Sequence, residues 1–124
     1  MARAVSVRPV VDLAGWLDFG DVDSAFLKAL HRLEPFGPGN EEPVWGVRDV
    51  EVTATQVGKG ERKSLQLAMR REDGLQLQGL WYSAGELAGE INAGGRWDIA
   101  GTILEDFRGA DAIVKLRVID ARRH

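Results

Sequence analysis

Leu65-Gln66-Leu67-Ala68-Met69-Arg70, then Arg71-Glu72-Asp73-Gly74, then Leu75-Gln76-Leu77-Gln78 decides the fold class. Apolar side chains recur at every second position on both sides of a short polar break. That is the period of a strand with one buried face. Asp73-Gly74 supplies a residue pair that tolerates positive φ, so the two strands join as a hairpin. The same alternation extends outward. Val50, Val52 and Ala54 alternate with Glu51, Thr53 and Thr55, and Gly58-Lys59-Gly60-Glu61 forms the turn that follows. The third strand runs on to Leu80-Trp81-Tyr82.

Ala84 to Ile91 is a short helical patch, with Leu87 and Ile91 one turn apart, and Ala93-Gly94-Gly95 breaks it. Trp97, Ile99, Gly101 and Ile103 then alternate with Asp98, Ala100 and Thr102. After Phe107-Arg108-Gly109-Ala110, Val114, Leu116 and Val118 alternate with Lys115 and Arg117. Five strands, with a long first strand and a helix between the third and fourth, follow the order of the OB-fold, a five-stranded Greek-key barrel. An open five-stranded sheet gives the same pattern. The expected class is mainly β, with an N-terminal strand and helix appended. In that appendage Val5, Val7 and Val10-Val11 are β-branched and Pro9 blocks a helix. Asp21 or Asp23 is placed to cap a helix whose apolar stripe is Val22, Phe26, Leu27, Leu30 and Leu33, ended by Pro35.

Composition narrows the function. With 44% hydrophobic and 28% charged residues in 124, the chain is one ordinary globular domain. It has no cysteine, which removes disulfides and thiolate metal sites and favours a cytoplasmic setting. No apolar run is long enough to span a membrane, and the N-terminus has no apolar signal core. The net charge of −3 argues against a strongly basic nucleic-acid binder. The charges are uneven, however: residues 44 to 71 carry Arg48, Lys59, Arg62, Lys63, Arg70 and Arg71 against Asp49, Glu51 and Glu61.

The residues for catalysis are missing. His31 lies beside the helical stripe and reads as a surface or boundary side chain, and His124 is the last residue. Neither has metal-ligand spacing. The acid pairs Glu41-Glu42, Glu72-Asp73 and Glu105-Asp106 read as solvated turn or strand-end groups. Pro38 removes a backbone donor from Gly37-Pro38-Gly39, and a strand follows Gly94-Gly95, so neither makes a phosphate cradle. No enzyme is expected, and no metal or other cofactor in this chain.

Binding remains. OB-folds hold single strands on the outer face of strands 2 and 3 and in the loops joining strands 1–2 and 4–5. Here the first loop carries Lys59, Arg62 and Lys63, the second carries Arg108, and Lys115 and Arg117 point outward on the last strand. Tyr82 and Phe107 are the aromatics placed for stacking, while Trp81 and Trp97 fall in phase with the core, and Trp16 and Trp45 read as packing anchors. So few aromatics imply weak, salt-dependent binding.

The segment before the strands narrows the family. Leu30-x-x-Leu33-Glu34-Pro35-Phe36-Gly37-Pro38-Gly39-Asn40 continues into Glu42-Pro43-Val44-Trp45. With Val57-Gly58-Lys59, Leu65-Gln66-Leu67, Gly79-Leu80-Trp81-Tyr82, Phe107-Arg108-Gly109 and Lys115-Leu116-Arg117-Val118-Ile119-Asp120-Ala121-Arg122, it resembles the C-terminal region of RecJ-type single-strand-specific DNA exonucleases. The Pro-Phe-Gly-Pro-Gly-Asn hexapeptide is the specific part. Two departures stand out. Lys63-Ser64 occupy the place where the family usually has His, and Asp106 stands where it usually has Asn, so its charge would repel phosphate.

The resemblance implies residues 1–40 as the end of a preceding domain and 41–124 as an OB domain. It implies a 5′→3′ exonuclease of the DHH family in DNA repair and recombination, whose Asp/His core binds Mn²⁺ or Mg²⁺; none of that core's motifs occurs here. The expected function is a non-catalytic single-stranded-DNA-binding domain using Lys59, Arg62, Lys63, Tyr82, Arg108, Lys115 and Arg117. The alternative is a protein-interaction or structural OB domain that docks a nuclease core or a repair partner.

Overall fold

The apolar halves of the alternating segments face one interior, except Leu75, which precedes its strand in the turn and is 45% exposed. The computed structural model describes residues 13–22, 24–60, 62–108 and 111–124. Its elements are strand β1 (Gly15–Trp16), helix α1 (Ser24–His31), β2 (Trp45–Val57), β3 (Ser64–Arg70), β4 (Gln76–Trp81), helix α2 (Ala88–Asn92), β5 (Arg96–Arg108) and β6 (Asp111–Arg123). Leu65, Leu67 and Met69 of β3 are buried, while Gln66, Ala68 and Arg70 between them are exposed. The β3–β4 hairpin turns where Asp73-Gly74 predicts. Gly74 has φ +90°, its N–H donates to the Arg71 carbonyl at 3.0 Å, and the Asp73 carboxylate accepts from Leu75 N–H at 3.1 Å.

The sheet closes, which removes the open-sheet alternative. β2 pairs antiparallel with β5 over its first half and with β3 over its second; β3 pairs with β4, β4 runs parallel to β6, and β6 pairs with β5. One strand serves two partners because it bends. A bulge lies between Val47 and Val50, with Asp49 at φ +56°. The backbone there is held from β5: Asp49 N–H donates to the Asp98 carboxylate at 2.9 Å, and Arg96 donates to the Asp49 carbonyl at 2.8 Å and to its carboxylate. Such bulges increase local coiling and let barrels close. Gly101 meets a different demand, because a Cβ there would lie 2.4 Å from the Arg117 carbonyl oxygen.

The core comprises Val47, Val50, Leu65, Leu67, Met69, Leu77, Trp97, Ile99, Leu116 and Val118, with Ile91 of α2 beneath them. Each large apolar side chain so buried contributes about 1.5–3 kcal/mol before chain entropy is counted. The Asn92 side chain fixes α2 to β2, accepting from Ala54 N–H and donating to the Ala54 carbonyl, both at 2.8 Å.

The N-terminal segment packs on this barrel. β1 lies parallel to the start of β2, with Ala14 N–H on the Val44 carbonyl and Leu17 N–H on the Gly46 carbonyl, both at 2.7 Å. The Trp16 ring covers Gly46 so closely that a Cβ there would come within 2.6 Å of it. In α1, Leu30 is buried, Phe26 meets the Trp45 ring at 5.3 Å between centroids, and His31 pairs with Glu105 of β5. Leu33 departs from its expected stripe. The helix ends at His31, and Leu33 is half exposed.

The hexapeptide is closed by its own asparagine. Gly37 and Asn40 exchange two backbone hydrogen bonds around Pro38-Gly39, with Gly39 at φ +82°, the type II turn chemistry of proline followed by glycine. The Asn40 side chain donates to the Leu33 carbonyl at 2.6 Å and the Pro35 carbonyl at 2.8 Å. The expected extended run through Val5 to Val11 and the Asp23 cap lie outside the described residues, as does the Asp21 side chain.

Candidate nucleic-acid interface

Alternation that buries one face of β2, β3, β4 and β6 presents the other as cross-strand rows. One row is Thr55, Gln66, Leu80 and Arg117; the next is Thr53, Ala68, Gln78 and Lys115. Between the rows is a groove of about 190 Å³ lined by Thr53, Thr55, Gln66, Leu67, Ala68, Gln78, Gly79 and Lys115. The small Ala68 side chain makes the depression. Among the described residues no carboxylate lines it.

The basic loop borders one end. Gly58 and Gly60 take positive φ, so the chain reverses tightly around exposed Lys59. Its base is pinned on two sides: the Lys63 carbonyl accepts from Gly85 N–H, and Gln56 donates its amide to the Gly85 carbonyl, both at 2.8 Å. Lys59, Arg62 and Lys63 are exposed, and none forms an ion pair with a described residue.

Tyr82 leaves β4 at this same end, half exposed, and Arg117 sits over its ring at 5.5 Å. The next residue, Ser83, has φ +58°, and its N–H donates to Ser64 Oγ at 3.2 Å, which fixes the corner from which Tyr82 projects. Five of the seven expected contact residues therefore gather at one end of the face. Lys115 lies on the same face but is only 8% exposed, so it forms part of the groove floor and does not project as a surface cation. Arg108 is not on a loop: β5 extends through it, and it pairs with Asp111 at the ribbon tip. Its side chain and that of Phe107 lie outside what the structure describes. Arg108 and Arg117 are separated by roughly 20 Å of strand at about 3.3 Å per residue.

The tryptophans sort mostly as expected. Trp97 is fully buried with Arg123 over its ring at 4.6 Å, Trp81 packs against the core, and Trp45 meets Phe26 with the rings tilted by 58°. Trp16 covers Gly46 yet keeps about half its surface exposed, with the Arg48 guanidinium 4.0 Å from its centroid.

Trp16 also borders a charged cleft of about 480 Å³ with a different character. There Arg71 bridges Asp18 at 2.6 Å and Asp73 at 2.5 Å, and Arg96 pairs with Asp49. Asp18 is held below the usual carboxylate range, first by Gly20 N–H and then by Arg71. Asp73 is lowered chiefly by Arg71, with help from Leu75 N–H. The guanidinium of Arg71 is raised by Asp73 and then Asp18, and that of Arg96 by Asp49.

Thr53, Thr55, Gln66 and Gln78 are the site residues that charge and aromatic content did not single out. Their signal was present in sequence: the outward positions of three adjacent strands carry neutral hydrogen-bonding groups. Among the described residues no group of three or more His, Asp or Glu side chains is arranged to hold a metal ion. None of the described helices is long and apolar enough to cross a membrane.

The family model described as RecJ OB domain matches residues 13–120. No curated protein matches the chain.

Proposed function

The chain belongs to the RecJ OB domain family, and from that premise we propose that it is a non-catalytic single-stranded-DNA-binding domain of, or related to, a cytoplasmic RecJ-type 5′→3′ exonuclease acting in DNA repair and recombination. The observation that carries this reading is the gathering of Lys59, Arg62 and Lys63, which have no ion-pair partner among the described residues, with the Tyr82–Arg117 pair at one end of a groove that no described carboxylate lines. The cations meet phosphates, and the half-exposed ring takes a base on its face. Hydrolysis would reside in a separate core that carries its own Mn²⁺ or Mg²⁺. With one exposed ring among the described residues at this end of the groove and an acidic whole, the grip is weak, and the domain keeps a strand on its path to that core.

Fluorescence anisotropy with labelled single-stranded DNA at low salt tests the reading. Binding in the micromolar range is expected, with affinity falling linearly in log salt. Reversing charge at Lys59→Glu, Arg62→Glu and Lys63→Glu should flatten that slope by about 2, at about 0.7 per single-strand phosphate contact. Absence of binding at about 100 μM, or binding indifferent to salt, rejects it. A second reading, an OB domain that docks a nuclease core or repair partner, is favoured by half-exposed Trp16 beside the charged cleft. It prevails if the reversal leaves DNA binding intact and abolishes association with the core.

A further inference from the structure

The groove floor has a chemistry that phosphate contacts do not use. Thr53, Thr55, Gln66 and Gln78 present hydroxyls and amides, each able to donate and accept, and none carries charge. Among the described residues these four side chains make no hydrogen bond to another protein group. They stand in register across three strands, Thr55 opposite Gln66, and Thr53 and Gln78 on either side of Ala68. Neighbouring strands are about 4.8 Å apart, so the polar groups form a patch on the scale of a base edge. The cations that neutralise a backbone are concentrated on the neighbouring loop, with Lys115 recessed in the floor.

We propose that Gln66 and Gln78, assisted by Thr53 and Thr55, are specificity-determining residues that contact nucleobase edges; this rests on the strand-binding reading above. A strand whose phosphates follow the basic loop, and whose base stacks on Tyr82, directs its next bases across the β3–β4 surface. Glutamine amides complement base edges bidentately, and they carry no charge with which to neutralise a phosphate. The face therefore separates two tasks. The loop sets how strongly affinity depends on salt, and the groove sets which bases are preferred.

The experiment measures the full chain against oligo-dA, oligo-dC and oligo-dT of about 15 nucleotides, a length that covers one OB face, at several salt concentrations. Wild type should separate the best from the worst homopolymer by about 5- to 10-fold. The double variant Gln66→Ala/Gln78→Ala should bring the three affinities together while leaving the salt slope unchanged. Thr55→Val, nearly isosteric, should reduce the preference by a smaller factor. Unchanged thermal midpoints establish that the variants are folded, as expected for exposed strand positions. Equal wild-type affinities, or a preference that survives the double variant, overturn this proposal and leave the strand-binding reading standing. A double variant that loses the same factor of affinity for all three homopolymers also overturns it, because the amides would then be serving the backbone and not base edges. No binding of any homopolymer by wild type overturns both.

Discussion

Two sides of the barrel use arginine in opposite ways. In the cleft beside β1, Arg71 and Arg96 are tied to carboxylates, and Arg48 lies on Trp16. On the groove side, Lys59, Arg62 and Lys63 have no carboxylate partner among the described residues, and Arg117 rests on a half-exposed tyrosine. The net charge of −3 averages over these two surfaces and describes neither. Cations already paired within the protein hold the structure, and cations left in solvent can gain a partner on binding. The comparison teaches that the location of paired acids matters more for function than their number.

Variants can break that contrast. The largest effect on the open side is expected for Tyr82→Ala, which should weaken single-strand binding about 10-fold with little change in thermal midpoint, since a base stacked on an aromatic contributes about 1–3 kcal/mol. A Tyr82→Ala protein that binds as wild type would remove the ring from the site. On the paired side the pattern should invert. Arg96→Ala releases both the carboxylate and the carbonyl of the Asp49 bulge, so thermal denaturation should show a lower midpoint while anisotropy shows unchanged DNA affinity. Loss of binding in that variant would mean that the bulge shapes the groove and that the two sides are not independent.

The smallest effect is an acid dependence of the cleft. Asp18 and Asp73 are lowered in the folded protein, so their stabilisation is present above the unfolded value of about 3.9 and is lost as pH falls through the folded values. Both side chains are about half exposed, and solvent screening keeps the contribution small. A thermal-midpoint profile taken below about pH 4 should fall less steeply for Arg71→Ala than for wild type. Parallel profiles would show that Arg71 contributes nothing to that dependence.

Much of the barrel was legible because a period of two marks which face of a strand is buried. The strands flanking Asp73-Gly74 and the burial of Trp97 follow directly from it, and the helix between the third and fourth strands follows from Leu87 and Ile91 one turn apart. Closure was not legible, since it depends on Asp49 at a positive φ inside a run that reads as plain strand, and on a glycine at position 101 whose importance lies in a backbone distant in sequence. The segment carrying Arg108 has the sequence of a loop because Gly109-Ala110 lowers strand propensity, while the paired β5 and β6 backbones continue through Arg108 and from Asp111. Burial of Lys115 could not be read from alternation, which gives the face but not the depth of the groove. The neutral residues Gln66, Gln78, Thr53 and Thr55 were visible in the pattern, but attention to charge and aromaticity passes over them.

The corner at residues 35–40 has a mechanical consequence. A turn whose asparagine grips the last carbonyls before it, and whose two ends bond to each other, has little freedom to flex. Helix α1 is held at one side by Trp45 and at another by Glu105, so helix, corner and first barrel strand form a single braced arm. Helix α1 is thereby fastened both to the first residue of the strand that supplies Thr53 and Thr55 and to β5, on the far side of the corner.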